Sequence, residues 1–235
     1  MFDLLKLGVV IPTYNESENI VLLIKSIQNV LGSKAEIIIV DDSIDQQTCR
    51  AVSSVYFEKT VCVYHRGMKM GRGSAVLEGL NKLLGKGCDL FVEMDADFSH
   101  SPNEILSHLE HVFNNNIDLL IASRYHKSSQ IINWPLHRKI FSKSANLLSK
   151  SLLRLPVSDY TNGYRIYSLR AARLVVEKCG RLGKGFISLS EILLQVYYAG
   201  YSISERPTVF VNRLRGESAI NFNEIWNALI GIYKL

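Results

Sequence analysis

At 235 residues, the chain is long enough for one large α/β domain with a sizeable buried core. With 47% hydrophobic and 21% charged residues, its composition is that of a globular protein and excludes a disordered one. The 27 Lys and Arg residues outnumber the 22 Asp and Glu residues, giving a formal charge of +5. That surplus suits an anionic partner and does not by itself choose among a nucleotide, a nucleic acid and an anionic membrane surface.

The cysteine spacing and the N-terminus indicate a cytosolic protein. The four cysteines are widely spaced and include no Cys-x-x-Cys pair, so they predict reduced thiols, with neither a zinc site nor a disulfide framework. Asp3 stands where a signal peptide would be basic, and no apolar run approaches the roughly 18 residues of a spanning helix. We therefore expect neither a signal peptide nor an integral membrane protein.

Apolar strands alternate with amphipathic helices along the first half of the chain. Strands are predicted at residues 7–11, 37–40, 61–64, 90–92 and 119–122, and helices near 20–31, 47–56, 75–84 and 105–113. This alternation predicts a doubly wound, mostly parallel α/β sheet. Polar residues follow most of these strands, at the edge where open parallel sheets bind ligands.

Two carboxylates, Asp95 and Asp97, follow the fourth predicted strand. Because side chains alternate along extended backbone, both are expected on one side, where hard oxygen ligands could hold Mg²⁺ or Mn²⁺ with positions open for substrate. The alternative is that Asp97 only ends the strand and caps a turn. After this stretch, Ser101 at N-cap and Glu104 at N3 predict the start of a helix.

A glycine-rich turn at residues 67–74 opens the third predicted helix. Its backbone N–H groups, with Lys69 and Arg72, could approach a phosphate at the helix N-terminus. The spacing matches neither a P-loop nor a dinucleotide fingerprint, so close packing of the turn is an equal alternative.

The character of the chain changes after residue 125. An irregular loop closed by Pro135 precedes an amphipathic helix at 136–155 whose charged residues are all basic. These residues are Arg138, Lys139, Lys143, Lys150 and Arg154. Such a helix is typical of an anionic interface, and the alternative is a surface helix packed on the sheet.

Later segments predict a strand near 160–167, helices near 171–177 and 189–199, and short strands around 202 and 209. The last segment, 224–235, is apolar but too short to span a bilayer.

Several motifs together resemble the family 2 GT-A glycosyltransferases, and more closely the dolichol-phosphate mannose synthases. The resemblance covers nearly the whole chain. In order, the motifs are residues 10–16 (VIPTYNE), 40–43 (VDDS), 71–75 (GRGSA), 95–97 (DAD), 122–125 (ASRY), Arg138, 163–165 (GYR) and 213–218 (RLRGES). Since such ordered motifs are far more specific than any one of them, they favour the metal-binding interpretation of Asp95 and Asp97.

The resemblance implies a role for each matching residue on the donor side. Asp95 and Asp97 match a metal-binding pair beneath the donor diphosphate, and Asp42 matches the acid that contacts the base. The implied donor-nucleotide residues are Pro12, Tyr14, Glu16, Asp42, Asp95 and Arg213. Ser99 stands where the family motif often has Gln. Ala219 stands where many relatives have Lys, so that contact is missing or supplied elsewhere.

On the acceptor side, the resemblance implies that Arg124, Arg138 and Ser142 hold a phosphate, and that Asp97, Arg124 and Arg138 are the catalytic residues. An acceptor phosphate is already anionic at pH 7, so no general base is required. Arginines suit phosphate because guanidinium offers forked donors. A single displacement would invert the anomeric centre.

The implied activity is mannosyl transfer from GDP-mannose to a dolichyl (polyprenyl) phosphate, with Mg²⁺ or Mn²⁺. Residues 1–125 would form the nucleotide-sugar half of one catalytic domain, and residues 126–235 the acceptor-binding, membrane-facing half. We expect a peripheral protein on the cytosolic face of a membrane, without nucleic acid and possibly with a membrane-anchoring partner. Two alternatives stay open: transfer from UDP-glucose or another hexose donor, and a non-catalytic nucleotide-sugar-binding or nucleic-acid-binding protein.

Overall fold

The computed structural model describes residues 5–55, 57, 59–180 and 187–212. The strands are β1 (Leu7–Thr13), β2 (Glu36–Asp41), β3 (Val61–His65), β4 (Leu90–Glu93), β5 (Leu119–Ser123), β6 (Gln130–Ile132), β7 (Arg165–Ser168), β8 (Ile203–Pro207) and β9 (Val209–Val211). The helices are α1 (Ile20–Leu31), α2 (Gln47–Ser53), α3 (Arg72–Gly85), α4 (Ile105–Asn114), α5 (Leu136–Leu153), α6 (Leu169–Lys178) and α7 (Ile187–Tyr198). Within these ranges, no helix combines the length and the hydrophobicity needed to cross a membrane.

Seven strands form one sheet in the order β3-β2-β1-β4-β7-β5-β8. Strand β7 is antiparallel to both of its neighbours, and the other pairs in the sheet are parallel. The prediction of a mostly parallel sheet is therefore confirmed. The five strands predicted in the first half all form, each within two residues of its expected ends.

The central strands are buried on both faces because their side chains alternate between two cores. Val9 and Ile11 of β1 pack into the core that contains α1 and α4, whereas Val10 packs into the core that contains α3, α6 and α7. Strand β2 divides its residues in the same way, with Ile38 and Val40 on the α3 side. This arrangement explains the unbroken aliphatic runs in the sequence.

Helix α1 follows the predicted spacing closely. Its core-facing residues Ile20, Leu23, Ile24 and Ile27 have no exposed surface, and burying each contributes about 1.5–3 kcal/mol. The helix ends at Gly32, whose φ of 79° suits glycine and whose N–H donates to the Gln28 carbonyl at 2.8 Å.

The second half of the chain completes the sheet begun by the first. Strand β7 lies between β4 and β5, and β8 extends the sheet beyond β5. Strands β6 and β9 form a separate parallel pair. The N–H of Val211 in β9 donates to the Ser99 carbonyl at 3.2 Å, so this pair lies against the turn that follows β4.

Helix α5 buries two polar residues and exposes several of its aliphatic ones. Asn146 and Ser149 are buried, whereas Leu136, Ile140 and Leu147 are 73%, 58% and 70% exposed. A helix that packed its apolar face on the sheet would show the opposite pattern. The apolar residues of this segment therefore do not pack on the sheet, and its place at an anionic interface stays a prediction.

The predicted start of the fourth helix needs a correction. Residues Pro102–Glu104 form a 3₁₀ turn before α4, and the Ser101 side chain makes no capping hydrogen bond to any described residue. Glu104 instead accepts hydrogen bonds from the Thr208 hydroxyl at 2.6 Å and the Val209 N–H at 2.9 Å. The Glu104 carboxylate therefore binds residues at the start of β9 and does not form the capping box that the sequence predicted at the helix start.

Candidate active site

The carboxyl ends of β1 and β2 meet at one edge of the sheet. Thr13 pairs with Asp41 in the strand register, and the Asp42 N–H donates to the Thr13 carbonyl at 2.9 Å. Polar loops follow both strands at this edge, as the sequence predicted.

The loop after β1 carries three of the residues expected at the donor nucleotide. Pro12 lies within β1, Tyr14 and Glu16 follow it, and the Lys69 ammonium lies 5.2 Å from the centre of the Tyr14 ring. Between them, Asn15 has a left-handed φ of 58°, and its N–H donates to the Ser43 hydroxyl at 2.9 Å. This hydrogen bond fixes the loop against the end of β2.

Asp42 is buried and holds the glycine-rich turn. Its Oδ2 accepts hydrogen bonds from the N–H groups of Met70 and Gly71 at 2.9 and 2.7 Å, and Arg66 forms an ion pair with Oδ1. The turn at residues 67–74 is therefore closely packed, and its contact with a phosphate stays a prediction. Contact between Asp42 and a base stays a prediction, and the carboxylate has the further role of positioning the turn.

Asp95 and Asp97 lie in a turn beyond β4, which ends at Glu93. The argument from side-chain alternation along extended backbone therefore does not apply to them. The Asp97 Oδ1 accepts from the Ser99 N–H at 3.0 Å, and Phe98 between them has a left-handed φ of 58°. A non-glycine residue in that conformation costs about 1–3 kcal/mol and is typical of functional sites.

Arg72 is a central residue of the site that sequence reasoning had assigned only to a possible phosphate contact. Its Nε and Nη2 donate to Oδ1 of Asp95 at 2.9 and 2.8 Å, and its Nη1 donates to Oε1 of Glu93 at 2.6 Å. Burial works against the charged guanidinium, but the two carboxylates outweigh it, so the pKa of Arg72 is raised above its ordinary value. Arg72 thus stays charged and fixes the Asp95 side chain.

Gly163 makes room for this guanidinium. A Cβ at residue 163 would lie 1.9 Å from Nη2 of Arg72, and the Gly163 carbonyl accepts from the same nitrogen at 3.1 Å. The glycine of the 163–165 motif therefore serves the position of Arg72. Arg165 of that motif is fully buried and donates to the carbonyls of Tyr160, Asn162 and Leu189.

The His100 ring accepts a hydrogen bond from the backbone of Asp95. The Asp95 N–H donates to Nδ1 of His100 at 3.2 Å, so the proton of the neutral ring is on Nε2, which donates to Oδ1 of Asn162 at 3.0 Å. The Asn162 amide then donates to the Ala122 carbonyl in β5. This chain of hydrogen bonds joins the Asp95 turn to the strand that leads into Arg124.

Arg124 is held by a buried carboxylate, Asp159. Its Nε and Nη2 donate to the two Asp159 oxygens at 2.8 and 2.7 Å, and its N–H donates to Oδ2 at 2.9 Å. Burial raises the pKa of Asp159, but the charge and hydrogen bonds of Arg124 outweigh it and hold this pKa below the usual value. Burial likewise opposes the charge on Arg124, whereas Asp159 and, more weakly, Asp95 keep the pKa of Arg124 raised.

The other two residues predicted at the acceptor phosphate lie on α5, around the same aromatic group. The Arg138 guanidinium lies 4.6 Å from the Trp134 ring centre, and that of Arg124 lies 5.5 Å from it. Ser142 accepts a hydrogen bond from the Tyr125 hydroxyl at 2.7 Å. The structure thus brings the residues Arg124, Arg138 and Ser142 into one region.

Some of the predicted site residues are outside the part of the chain that the structure describes. Arg213, the motif at 213–218, Ala219 and the apolar segment at 224–235 lie outside the described residues. Residues that sequence reasoning missed are His100, Asp159 and the inward-facing Arg72. His100 directly follows the Asp-x-Asp stretch, and Asp159 precedes the 163–165 motif, so proximity to motifs was the available signal.

The residues present fit a divalent cation better than a soft metal. Asp95 and Asp97 offer carboxylate oxygens, the ligands that Mg²⁺ and Mn²⁺ prefer. The Asp95 side chain is 34% exposed, so it is open to an ion arriving from solvent, and Arg72 fixes its orientation. Asp97 is nearly buried beside it in the same turn.

A mostly parallel sheet with helices on both faces and a polar edge at its strand ends defines the GT-A glycosyltransferase fold. Two solved complexes of glucosyl-3-phosphoglycerate synthase from Mycobacterium tuberculosis share it. The complex with Mn²⁺, UDP and phosphoglyceric acid has a TM-score of 0.67 at 18% identity, covering 99% of this chain and 77% of that one. The complex with Mn²⁺, UDP-glucose and phosphoglyceric acid has a TM-score of 0.68 at 17% identity, covering 99% and 78%. At this identity the likeness establishes the fold alone.

The family model described as glycosyl transferase family 2 matches residues 8–175, and the chain belongs to that family. It is 36% identical to a dolichol-phosphate mannosyltransferase from Pyrococcus furiosus, over 98% of this chain and 64% of that protein. It is 34% identical to a polyprenol monophosphomannose synthase from Mycolicibacterium smegmatis, over 95% and 84%. It is 31% identical to an undecaprenyl-phosphate mannosyltransferase from Micrococcus luteus, over 96% and 91%. The resemblance recognised in the motifs is confirmed, and the chain spans less than two thirds of the Pyrococcus protein.

Proposed function

We propose that this glycosyltransferase moves a mannosyl group from GDP-mannose to a polyprenyl phosphate of the dolichyl type, with inversion, at a membrane surface. The main support is that the three relatives named as lipid-phosphate mannosyltransferases each align with at least 95% of this chain. The site geometry is consistent with that reaction, since Arg72 holds Asp95 at the sheet edge, and hydrogen bonds through His100 and Asn162 join Asp95 to the strand that leads into Arg124.

The donor lies, in this proposal, against the loops after β1 and β2, contacting Pro12, Tyr14, Glu16 and Asp42. Its diphosphate lies near Asp95, and Arg213 adds a positive charge. In this proposal residues 1–125 form the donor half of the site, to which Arg213 is added, and residues 126–235 form the acceptor half.

Asp95 and Asp97 would hold Mg²⁺ or Mn²⁺. When bound, the ion offsets the negative charge that gathers on the departing nucleoside diphosphate. Arg72 keeps Asp95 oriented, and the His100 hydrogen bond holds the backbone of the same residue. The protein thus supplies a rigid carboxylate, which limits the reorganisation needed during the reaction.

The acceptor phosphate needs cations rather than a base, because it is already ionised at pH 7. Arg124 and Arg138 would bring it towards the sugar, with Ser142 as a hydroxyl donor. Asp159 holds the Nε and Nη2 edge of Arg124, and Nη1 donates no hydrogen bond to a described residue. That nitrogen is therefore available to a phosphate oxygen.

The exposed face of α5 supports a lipid-borne acceptor. Leu136, Ile140 and Leu147 project outward on the helix whose inner face carries Arg138 and Ser142. Lys143 and Lys150 are exposed near this aliphatic stripe on the same helix. An aliphatic stripe flanked by lysines suits an anionic bilayer surface, with the arginines at headgroup level. The cytosolic face is part of the proposal.

The test is a transfer assay with radiolabelled GDP-mannose or UDP-glucose and a short polyprenyl phosphate. We expect lipid-linked mannose, no lipid-linked glucose, and loss of product with chelator. The variant Asp97→Asn should fold and lose about 100-fold or more in activity, whereas Glu177→Gln, an exposed change on α6, should be fully active. Glucose transfer without mannose transfer would contradict the donor, and full activity of Asp97→Asn would contradict the mechanism.

A further inference from the structure

A second group of potential metal ligands lies away from Asp95 and Asp97. It consists of Asp41, Cys49 and His65, whose ligand atoms all lie within 4.8 Å of one another. The His65 Nδ1 is 3.1 Å from Oδ2 of Asp41. The sugar-transfer roles assigned above use none of these three side chains.

The fold brings these residues together from three elements. Asp41 ends β2, His65 ends β3, and the two pair directly in the strand register. Cys49 lies in α2, which follows the loop after β2. Because no two of the ligands share an element, their spacing matches no compact zinc motif, which is why the sequence indicated none.

The ligand types select for one class of metal. A thiolate and an imidazole favour Zn²⁺ over Mg²⁺ and Ca²⁺, and the carboxylate supplies a third ligand of a type that zinc accepts, leaving a fourth position for water. Zinc–ligand bonds of about 2.0–2.3 Å require ligand atoms roughly 3.3–3.8 Å apart in a tetrahedron. The ligand atoms of the three residues lie up to 4.8 Å apart, so some of these distances must shorten by about 1 Å when an ion binds. Rotation of the half-buried Cys49 and His65 side chains can supply that change.

Asp41 is already oriented for such a role. Its Oδ1 accepts hydrogen bonds from the hydroxyls of Thr13 and Ser43 at 3.0 and 2.6 Å, which directs Oδ2 towards His65. Outer hydrogen bonds of this kind are what metal-binding carboxylates have in proteins. Asp41 has no exposed surface, so an ion on Oδ2 would be shielded on that side.

We propose that Asp41, Cys49 and His65 form a zinc site that joins α2 to the ends of β2 and β3. Binding replaces the hydrogen bond between Asp41 and His65 with two metal bonds. The Cys49 thiol releases its proton to solvent. The neutral imidazole, whose Nδ1–H faces the Asp41 carboxylate before binding, exchanges that proton with solvent and takes one on Nε2, so that Nδ1 is free to bind the ion. The site is separate from Asp95 and Asp97, so it does not depend on the proposed sugar transfer.

Cobalt is the probe for the thiolate ligand. The full chain, freed of metal by chelation and dialysis, is titrated with Co²⁺ and followed by absorption. We expect a sulfur-to-cobalt charge-transfer band that Zn²⁺ abolishes. The band should be absent in Cys49→Ser and retained in Cys62→Ser, a matched change at another half-buried thiol. A band that persists in Cys49→Ser would overturn the proposal.

Zinc affinity and thermal unfolding provide the second test. Competition with a chromophoric chelator should give at least about tenfold weaker zinc binding in Cys49→Ser and His65→Gln, since even outer hydrogen-bond partners are worth that much. Zinc should raise the melting temperature of the wild type and of Asp97→Asn, which separates this site from the sugar-transfer site. Equal affinities in wild type, Cys49→Ser and His65→Gln would contradict the site.

Discussion

Arg72 donates two hydrogen bonds to a single oxygen of Asp95, Oδ1, at 2.9 and 2.8 Å. Its remaining terminal nitrogen, Nη1, binds the fully buried Glu93, which also accepts from the Tyr167 hydroxyl. One guanidinium thus bridges two carboxylates and sets the direction of Asp95, the one that is partly exposed. Asp95 is therefore fixed by the protein before any ion or substrate arrives.

Replacing Arg72 with lysine tests this positioning. Lysine keeps the positive charge beside Glu93 but cannot supply three N–H groups in fixed directions, so the Asp95 side chain can rotate away from its position. We expect a folded variant whose transfer rate falls by about 100-fold, a cost that a 1 Å misplacement in a catalytic site can have. Steady-state kinetics and Mn²⁺ binding followed by electron paramagnetic resonance measure the effect. A wild-type rate together with unchanged Mn²⁺ affinity would contradict it.

Gly163→Ala tests the same contact from the opposite side. The new methyl group would displace the Arg72 guanidinium, whose atoms would lie as close as 1.9 Å. We expect a loss of activity close to that of Arg72→Lys, and a double variant no worse than either single one, because both changes remove one interaction. Gly85→Ala is the control, since a methyl group there meets nothing within 4 Å. Independent, additive losses would argue against the shared mechanism.

His100→Phe should reduce stability. The phenyl ring can keep the contact with Tyr164, whose ring centre is 5.1 Å away, but it removes the hydrogen bonds that His100 makes with the Asp95 N–H and the Asn162 carbonyl. Each unsatisfied buried group costs about 1–3 kcal/mol. Calorimetry should therefore show a melting temperature lower by several degrees, at about 2–4 °C per kcal/mol for a chain of this size. An unchanged melting temperature would mean that the hydrogen bonds contribute little.

The Asp159–Arg124 pair predicts how stability depends on pH. The pKa of Asp159 is lowered in the folded state, so the pair stabilises the fold above the ordinary carboxyl pKa of about 4, and that stability is lost as pH falls through the lowered value. Asp159→Asn leaves Arg124 buried without its counter-charge, at a cost of about 3–5 kcal/mol. Urea unfolding should show the largest difference from wild type at pH 7 and a narrowing one below about pH 4.

The control for this pH series is Glu177→Gln, which removes an exposed ion pair with Lys178. Because surface pairs contribute little, its free energy of unfolding should follow that of the wild type at every pH. A difference between Asp159→Asn and wild type that stays constant with pH would contradict the assignment.

The strands and helices that frame the site were predictable because each has a regular apolar period. Helix α1 shows this well, since its buried residues recur at intervals of three and four. The role of Arg72 was not predictable in the same way. Its sequence neighbours are glycines, and only the fold brings it to Asp95, 23 positions away along the chain.

Other contacts of the site also join residues that are far apart in the sequence and could not be predicted from it. Asp159 meets Arg124 across 35 positions, and Glu104 meets Val209 across 105, so neither contact leaves a periodic signal. The orientation of α5 was also open, because its apolar residues are compatible with either a packed or an exposed face. What decided it was burial of Asn146, which accepts from the Tyr160 N–H at 2.7 Å.

The exposed stripe of α5 gives the last prediction. Replacing Leu136, Ile140 and Leu147 with serine removes aliphatic surface that would enter a bilayer, worth roughly 0.8 kcal/mol per buried CH₂ group. We expect much weaker sedimentation with both neutral and anionic vesicles, and normal transfer to a short acceptor in detergent. Replacing Lys143 and Lys150 with glutamine should weaken binding only to anionic vesicles, by about 1 kcal/mol per residue. Leu22→Ser, at an exposed leucine on α1, should bind as the wild type does. Equal loss at Leu22 would mean that α5 is not the membrane-binding face.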